Sequence, residues 1–362
     1  MKKLKTISAL ALASALCLSL FSGCGGSTAS DPGGGPAPSG GGDKAEPKKD
    51  PIVIRIGGTV NDTHPLTMAE YKFEELFEAA TDGAYDVQVY TNMALGGPRE
   101  MLEAVQLGNL EMADSGSMVV TPFTSKLTFM DIPYLFSSRE VTEQFVKSDV
   151  ANELYARMGE ECNIRPVGPM DLGYMTLSNN VRAIHTPADL KGVKFRVQET
   201  DMYLKYFEAL GGSPMPMSFN EVFTAAQQGT IDGTTTQNAV FYSNRYYEVI
   251  KHLSDMNPFY NVAYIYTCND WVEALPDDIR TIFYDCWDQA SEYQWQISGD
   301  LIEEMNEELE TLVTVTHLTD EERAAFVEAA APMLDYFKET VDEPYLDEYL
   351  AEIERIEASL AS

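Results

Sequence analysis

Basic residues are scarce: 25 Lys and Arg stand against 57 Asp and Glu in 362 residues, a formal net charge of −32 at pH 7. Nucleic acid is gripped through its phosphates by clustered cations, and adjacent basic residues occur only at Lys2-Lys3, with Lys5 close by, and at Lys48-Lys49. The composition therefore argues against a nucleic-acid partner. Cysteine is rarer still, five in all with no C-x-x-C spacing, and the four histidines, His64, His185, His252 and His317, include no pair at i, i+4. Such scatter predicts neither a metal site nor thiol redox chemistry. No G-x-S-x-G, H-E-x-x-H, P-loop or G-x-G-x-x-G segment is present, so the common signatures of hydrolases, zinc enzymes and nucleotide cofactors are missing. The chain reads as a non-enzyme without a cofactor, although missing motifs lower rather than remove the case for catalysis. Glu303, Glu304, Glu307, Glu308 and Glu310 form a dense carboxylate run, which reads as a solvated helix face rather than an acid–base pair. An apolar run of about 20 residues, enough to cross a bilayer, is also lacking.

What the chain does have is apolar material, 44% hydrophobic and 10% aromatic, enough for a globular body despite the acidic excess. Its length suggests two domains. Lys2, Lys3 and Lys5 precede an apolar run from Ile7 to Phe21 that ends in Ser22-Gly23-Cys24, the layout of a secretory signal. The small pair before Cys24 resembles the lipobox of bacterial lipoproteins. That resemblance implies cleavage of the signal peptide, residues 1–23, and acylation of Cys24, which would anchor the protein to the cell membrane; an ordinary signal with an incidental cysteine is the alternative. Residues 24–51 are rich in Gly, Pro and Ser and lack apolar periodicity, so they read as a flexible linker with a reach of roughly 25–30 Å. Cys162, Cys268 and Cys286 remain, and either a disulfide among them or buried free thiols suits an exported protein.

The folded body opens with a strand over Ile52–Ile56. A helix over Met68–Ala80 follows, then a strand over Val87–Tyr90, an order that implies parallel α/β construction. An internal echo follows: Glu100 to Glu111 aligns without gaps with Glu221 to Asp232, matching at Ala104 and Ala225, Gln106 and Gln227, Gly108 and Gly229. Each segment reads as a short helix closed by Gly and leading into a strand, and two lobes of like design are expected. Apolar residues from Ile282 to Leu312 recur at helical spacing, predicting a helix over Arg280–Leu312 of about 50 Å that braces both lobes, with Gly299 as a point where it could kink. Thr319 and Glu322 form a capping-box pattern, and residues 321–362 read as helical with one interruption, at Pro344.

The stretch from Met130 to Glu248 resembles the solute-binding subunits of tripartite ATP-independent periplasmic (TRAP) transporters. The resemblance is carried by Asp131-Ile-Pro-Tyr-Leu-Phe136, by Thr186-Pro-Ala-Asp189-Leu-Lys-Gly192-Val-Lys194-Phe-Arg196-Val197, and by Ala209 to Val222 running on through Gln227-Gln-Gly229-Thr-Ile-Asp232-Gly233. Weaker matches extend it over most of the body from Ile52 to about Leu312. It implies an α/β, two-lobed clamshell of the periplasmic-binding-protein kind with a long helix spanning both lobes. Lobe I is expected from residues 52–172 and 258–298, and lobe II from 173–257 and 299–362. It further implies capture of a carboxylate-containing organic acid by hinge closure, delivery to TRAP membrane permease subunits, and an extracytoplasmic location. A monomer is the default.

Alternation alone puts Val193, Phe195 and Val197 on one strand face and Lys194 with Arg196 on the other, a pattern that usually shows cations to water. The resemblance reverses that reading, because the family's carboxylate-clamping arginine falls at Arg196, and a guanidinium offers a carboxylate two parallel donors. Two departures bear on the ligand. Many relatives place a second arginine near the third position of Gly173-Tyr174-Met175-Thr176, and this chain has none; where a ligand-binding Asn is usual, this chain has Thr236. A monocarboxylate with polar or aromatic character is thus favoured over a doubly charged acid, with Tyr174, Phe219, Thr236 and Asn238 as lining and Asn61, His64 and Ser117 as further candidates. A sensing module reporting to a signalling partner is the competing reading of a different class, and a secreted enzyme a third.

Overall fold

The computed structural model describes residues 50–362. The expected signal segment, the acylated Cys24 and the linker up to residue 49 lie outside the described residues. From its N-terminal end the body builds β1 (Ile52–Gly57), α1 (Pro65–Ala80), β2 (Tyr85–Tyr90), α2 (Pro98–Gln106), β3 (Met112–Gly116), α3 (Arg139–Val146), α4 (Asp149–Cys162) and the long β4 (Ile164–Asn179). Next come β5 (Lys194–Val197), α5 (Asp201–Ala209), β6 (Ser213–Pro216), α6 (Val222–Gln227), β7 (Gly233–Gln237), α7 (Asn238–Ser243), β8 (His252–Ser254) and β9 (Tyr260–Cys268). The chain ends through α8 (Asn269–Glu273), α9 (Asp277–Leu312), β10 (Thr314–Thr316), α10 (Asp320–Ala330), α11 (Met333–Thr340) and α12 (Leu346–Leu360). Among the described residues no helix is long and apolar enough to cross a membrane.

Strand–helix–strand order gives β1 parallel partners in β2 and β3, because a helical crossover returns the chain in the same direction. β9 and β4 then insert antiparallel pairings, and β7, β5 and β6 complete the path β2-β1-β3-β9-β4-β7-β5-β6. β4 carries the sheet from one half to the other. Its residues from Ile164 to Tyr174 pair with β9, those from Met175 to Asn179 with β7. Register shifts after Val167 and Asp171 are the irregularities by which a strand bends.

α9 begins at Asp277, directly after Pro276, and runs unbroken through Gly299 for 36 residues, about 54 Å. It packs against α1 beside the first half of the sheet and against α7 and β10 beside the second. Phe73 of α1 stacks on Trp287 with ring centroids 4.0 Å apart, and Phe283 meets Phe73 edge-on. At its middle α9 is stitched to the bend of β4. Gln294 accepts the Asp171 backbone N–H at 2.8 Å and donates to the Asp171 carbonyl at 2.8 Å. The buried Asp171 carboxylate accepts from Arg139 Nε at 2.8 Å, Ser298 Oγ at 2.8 Å and Tyr260 OH at 2.7 Å.

The sequence echo has a geometric counterpart. In α2 the amides of Gly108 and Asn109 bond back to the carbonyls of Val105 and Ala104, and in α6 those of Gly229 and Thr230 bond back to Ala226 and Ala225. Both glycines have φ of +71°, the left-handed closure that a side chain disfavours, and each turn leads into a strand, β3 and β7. Three sequence expectations need correction. The first helix starts at Pro65 rather than Met68, since His64 accepts the Leu66 N–H and Pro65 fits the first turn. The C-terminal stretch breaks before α11 as well as before α12, because Pro332 cannot continue the ladder of α10. α10 and α11 pack on α5, whereas α12 reaches back to α3 and α4. Cys162, Cys268 and Cys286 are free thiols among the described residues, so the disulfide alternative falls. The acidic run from Glu303 to Glu310 is exposed at every glutamate.

Candidate functional site

Two cavities flank the junction between the sheet halves. The larger, about 450 Å³, lies between the end of β4 and α9. Much of its polar lining is mutually satisfied: Arg139 holds Asp171, Thr176 donates to Asn238 at 2.9 Å, Asn238 donates to Asn306 at 2.7 Å, and His317 bridges Asp255 and Glu310. Such a network joins elements and leaves little to hold a charged guest. The smaller cavity, about 70 Å³, is built from the carboxyl ends of four strands. Thr59 and Val60 follow β1, Ser115 lies near the end of β3, Arg196 lies near the end of β5 with Gln198 just beyond it, and Thr236 with Gln237 ends β7. In open α/β sheets that edge is where ligands bind.

Arg196 is the one buried cation of the smaller cavity, 5% exposed. Alternation on β5 sends Phe195 and Val197 into the core, but the two cations of the other face part company. Lys194 is exposed; Arg196, between β6 and β7 and covered by the segment that follows β6, is buried. Its Nε donates to the Met217 carbonyl at 2.9 Å and its guanidinium lies 5.9 Å from the Phe219 ring centre. Among the described residues no carboxylate lies within ion-pair distance of it, Glu199 being the nearest acting charge, and Nε is its only nitrogen with a protein hydrogen bond. Burial lowers its pKa to about 10, so it stays a cation at neutral pH. A desolvated, unpaired guanidinium is costly, and an anion seated against the Nη pair offsets that cost. Around it the wall is largely apolar, with Val60, Leu66, Met118, Leu172, Phe219 and Val240. Gln198 and Gln237 already bond to Thr235 and Asn261. Exposed Arg99 and Glu199 flank a smaller recess of about 40 Å³ that shares Arg196 and Phe219.

The structure brings together three of the expected lining residues, Arg196, Phe219 and Thr236. Tyr174 and Asn238 line the larger cavity instead. Asn61 is half-buried and donates to the Ser243 carbonyl at 2.8 Å, tying the turn after β1 to α7. His64 is fully enclosed as the cap of α1, and burial pushes its pKa down to about 3, so it is neutral. Ser117 is buried next to Gly116 and Met118 of the smaller cavity, its hydroxyl without a partner among the described residues. Sequence reasoning missed Gln198, although an extended chain running on past β5 keeps a residue two on from Arg196 on its face. Thr59 and Ser115 were missed as well; their signal is position, at the carboxyl ends of β1 and β3.

The family model for DctP, bacterial extracellular solute-binding protein family 7, matches residues 56–340. A C4-dicarboxylate-binding periplasmic protein of Rhodobacter capsulatus is 30% identical over 299 residues, 81% of this chain and 88% of its own. Its counterpart in Shewanella loihica is 28% identical over 312 residues, 83% and 90% of the two chains. Among solved structures, a TRAP periplasmic solute-binding protein of Shewanella oneidensis with bound succinate superposes with a TM-score of 0.79 at 25% identity, covering 84% of this chain and 99% of its own. A TRAP periplasmic protein of Roseobacter denitrificans with bound β-D-glucuronate does so with 0.78 at 26%, covering 83% and 98%.

Proposed function

The chain belongs to the DctP family of extracellular solute-binding proteins, the solute-binding proteins of TRAP transporters, with the two-lobed fold of that family, and from that premise we propose that it seats an organic acid against Arg196 and passes it to a TRAP permease. The observation that carries this reading is the buried guanidinium whose Nη atoms have no partner among the described residues. A carboxylate placed there gains two charge-assisted bonds in a water-poor site. The relatives' structures hold succinate and glucuronate; this cavity has one buried cation and a mostly apolar wall, which favours a small monocarboxylic acid over a second charge or a ring of hydroxyls. The lobes proposed are residues 52–172 with 258–298 and 173–257 with 299–362. The change of β4 partner between Tyr174 and Met175 supports a hinge there, and α12 adds a contact back to the first lobe. Cys24, with its signal-like approach, is proposed as the lipid attachment site that keeps the body at the membrane.

Mass spectrometry of the acid that co-purifies, followed by thermal-shift titration of that acid, tests the reading. At 100 times Kd a ligand stabilises the native state by about 2.7 kcal/mol. Arg196→Ala is expected to abolish that shift while leaving a folded protein, and succinate and glucuronate are expected to shift the wild type less than short apolar monocarboxylates. An undiminished shift in Arg196→Ala overturns the assigned clamp.

A further inference from the structure

Beneath the wall of the Arg196 cavity lies a pair of acids that ligand capture does not explain. Glu70 on α1 and Asp114 on β3 are both fully buried. Asp114 Oδ1 accepts the backbone N–H of Thr59 at 2.7 Å, and Thr59 and Val60 line the cavity. The other three carboxyl oxygens, Oε1 and Oε2 of Glu70 and Oδ2 of Asp114, have no protein donor among the described residues, yet the two acids converge on one dipeptide, Glu70 Oε2 beside Gly58 and Asp114 Oδ1 on the Thr59 amide, and each shifts the other's proton affinity. A hydrogen bond between two carboxyl groups requires that one of them keep a proton. The backbone packs closely on Glu70: a Cβ on Gly58 would come 3.1 Å from Glu70 Oε2 and 3.4 Å from the Tyr90 carbonyl.

We propose that Glu70 and Asp114 share one proton and that this proton holds the Gly58-Thr59-Val60 turn, and with it one wall of the binding cavity, in place. Two ionised carboxylates in contact without a cation repel strongly in an apolar interior, whereas one shared proton turns repulsion into a bond. Burial and the neighbouring acid both raise the proton affinity of Glu70, and burial raises that of Asp114. No Lys or Arg acts on either group. Tyr71 shares α1 with Glu70 and feels its charge, and the neutral His64 caps that helix. β2 contributes Tyr85 and Tyr90 to the elements packed around α1, β9 sets Ile265 opposite Asp114, and α9 presents Phe283 and Trp287 to α1. Glu70 and Asp114 are positioning residues here, acting on the ligand only through the turn. That last step rests on the assignment of the cavity to ligand binding; the proton itself does not.

Carboxyl groups whose folded pKa lies above the unfolded value stabilise the fold fully below the unfolded pKa, and that contribution is lost as pH rises through the folded pKa. Difference infrared spectroscopy of the full chain near neutral pH is expected to show a protonated-carboxyl C=O band that Glu70→Gln removes, since the Gln amide donates to Asp114 at every pH. Asp131, a buried acid with both oxygens unpartnered and its pKa raised by burial, supplies a separate band that Asp131→Asn removes. Protection of the Thr59 amide against exchange, corrected for intrinsic rate, is expected to fall about tenfold per pH unit above the pair's titration in the wild type, the slope of a one-proton opening, and to stay flat in Glu70→Gln. If Glu70→Gln fails to fold, Asp114→Asn, which keeps an Oδ1 acceptor for Thr59, replaces it, and the wild-type band titration stands alone. Absence of a Glu70-dependent band overturns the shared proton. Thr59 protection that ignores pH overturns the link to the wall. Neither measurement uses a ligand, so either failure is distinguishable from failure of the acid-binding reading.

Discussion

Arg196 shows how much one side chain depends on what covers it. A four-residue strand places it on the same face as Lys194, and simple alternation treats the two alike; burial separates them because Met217 and Phe219, distant in sequence, fold over one and leave the other in water. The motif around Arg196 was legible and its cover was not. That Tyr174 faces the larger cavity and not Arg196 was hidden for a related reason. A strand such as β4, buried on both faces, shows no polarity difference that tells which face opens on which cavity. Asp171 carried no sequence signal, yet it joins α3, β4, β9 and α9 through one carboxylate. Removing one member of a buried ion pair leaves its partners unsatisfied, and here Arg139 is only half-buried, so part of the loss is recovered by water. Asp171→Ala is expected to destabilise the protein by about 3 kcal/mol in denaturant titration. A change under about 1 kcal/mol would show that Arg139, Ser298 and Tyr260 find substitute partners.

At the scale of elements, the paired closures of α2 and α6 are the part of the fold most readable in advance. Gly108 and Gly229 mark them in the sequence, and the same backbone bonds recur at both. A Cβ at Gly229 would meet nothing within 4 Å, and one at Gly108 only Cys268 Sγ at 3.8 Å. The cost of a side chain there is conformational, not steric. Gly108→Ala and Gly229→Ala are each expected to lose about 1–2 kcal/mol, nearly equally, as read by chemical denaturation. A large inequality would mean that the two turns are alike only in outline. The extent of α9 was equally legible, because a stripe of Phe283, Trp287, Ala290 and Leu309 repeats at helical spacing. The antiparallel insertion of β9 and β4 was not, since pairing between strands far apart in sequence leaves no local pattern.

For the molecule as a whole, a formal charge of −32 sets a problem for a protein proposed to take up an anion. Charges more than a Debye length away, about 8 Å at physiological salt, are largely screened, so the approach is governed by salt and the proposed final contact by Arg196. The association rate of the co-purifying acid, followed by stopped flow, is therefore expected to rise with ionic strength while its dissociation rate changes little. A rate that falls with salt would mean that the field at the cavity mouth, where Arg99 sits beside Glu199, overrides that of the surface.

The path of the chain between the sheet halves limits how they can move. It crosses along β4, returns through the segment between β8 and β9, and crosses again inside α9, which is fastened to the bend of β4 by Gln294, Ser291 and Trp295. Several neighbouring crossings remove degrees of freedom that one linker would leave: sliding and twisting of the halves each shear at least one of them, while rotation about a line through all of them strains none severely. On the proposed hinge at β4, the two halves would travel along one coordinate whose end points are set by the crossings rather than by the guest.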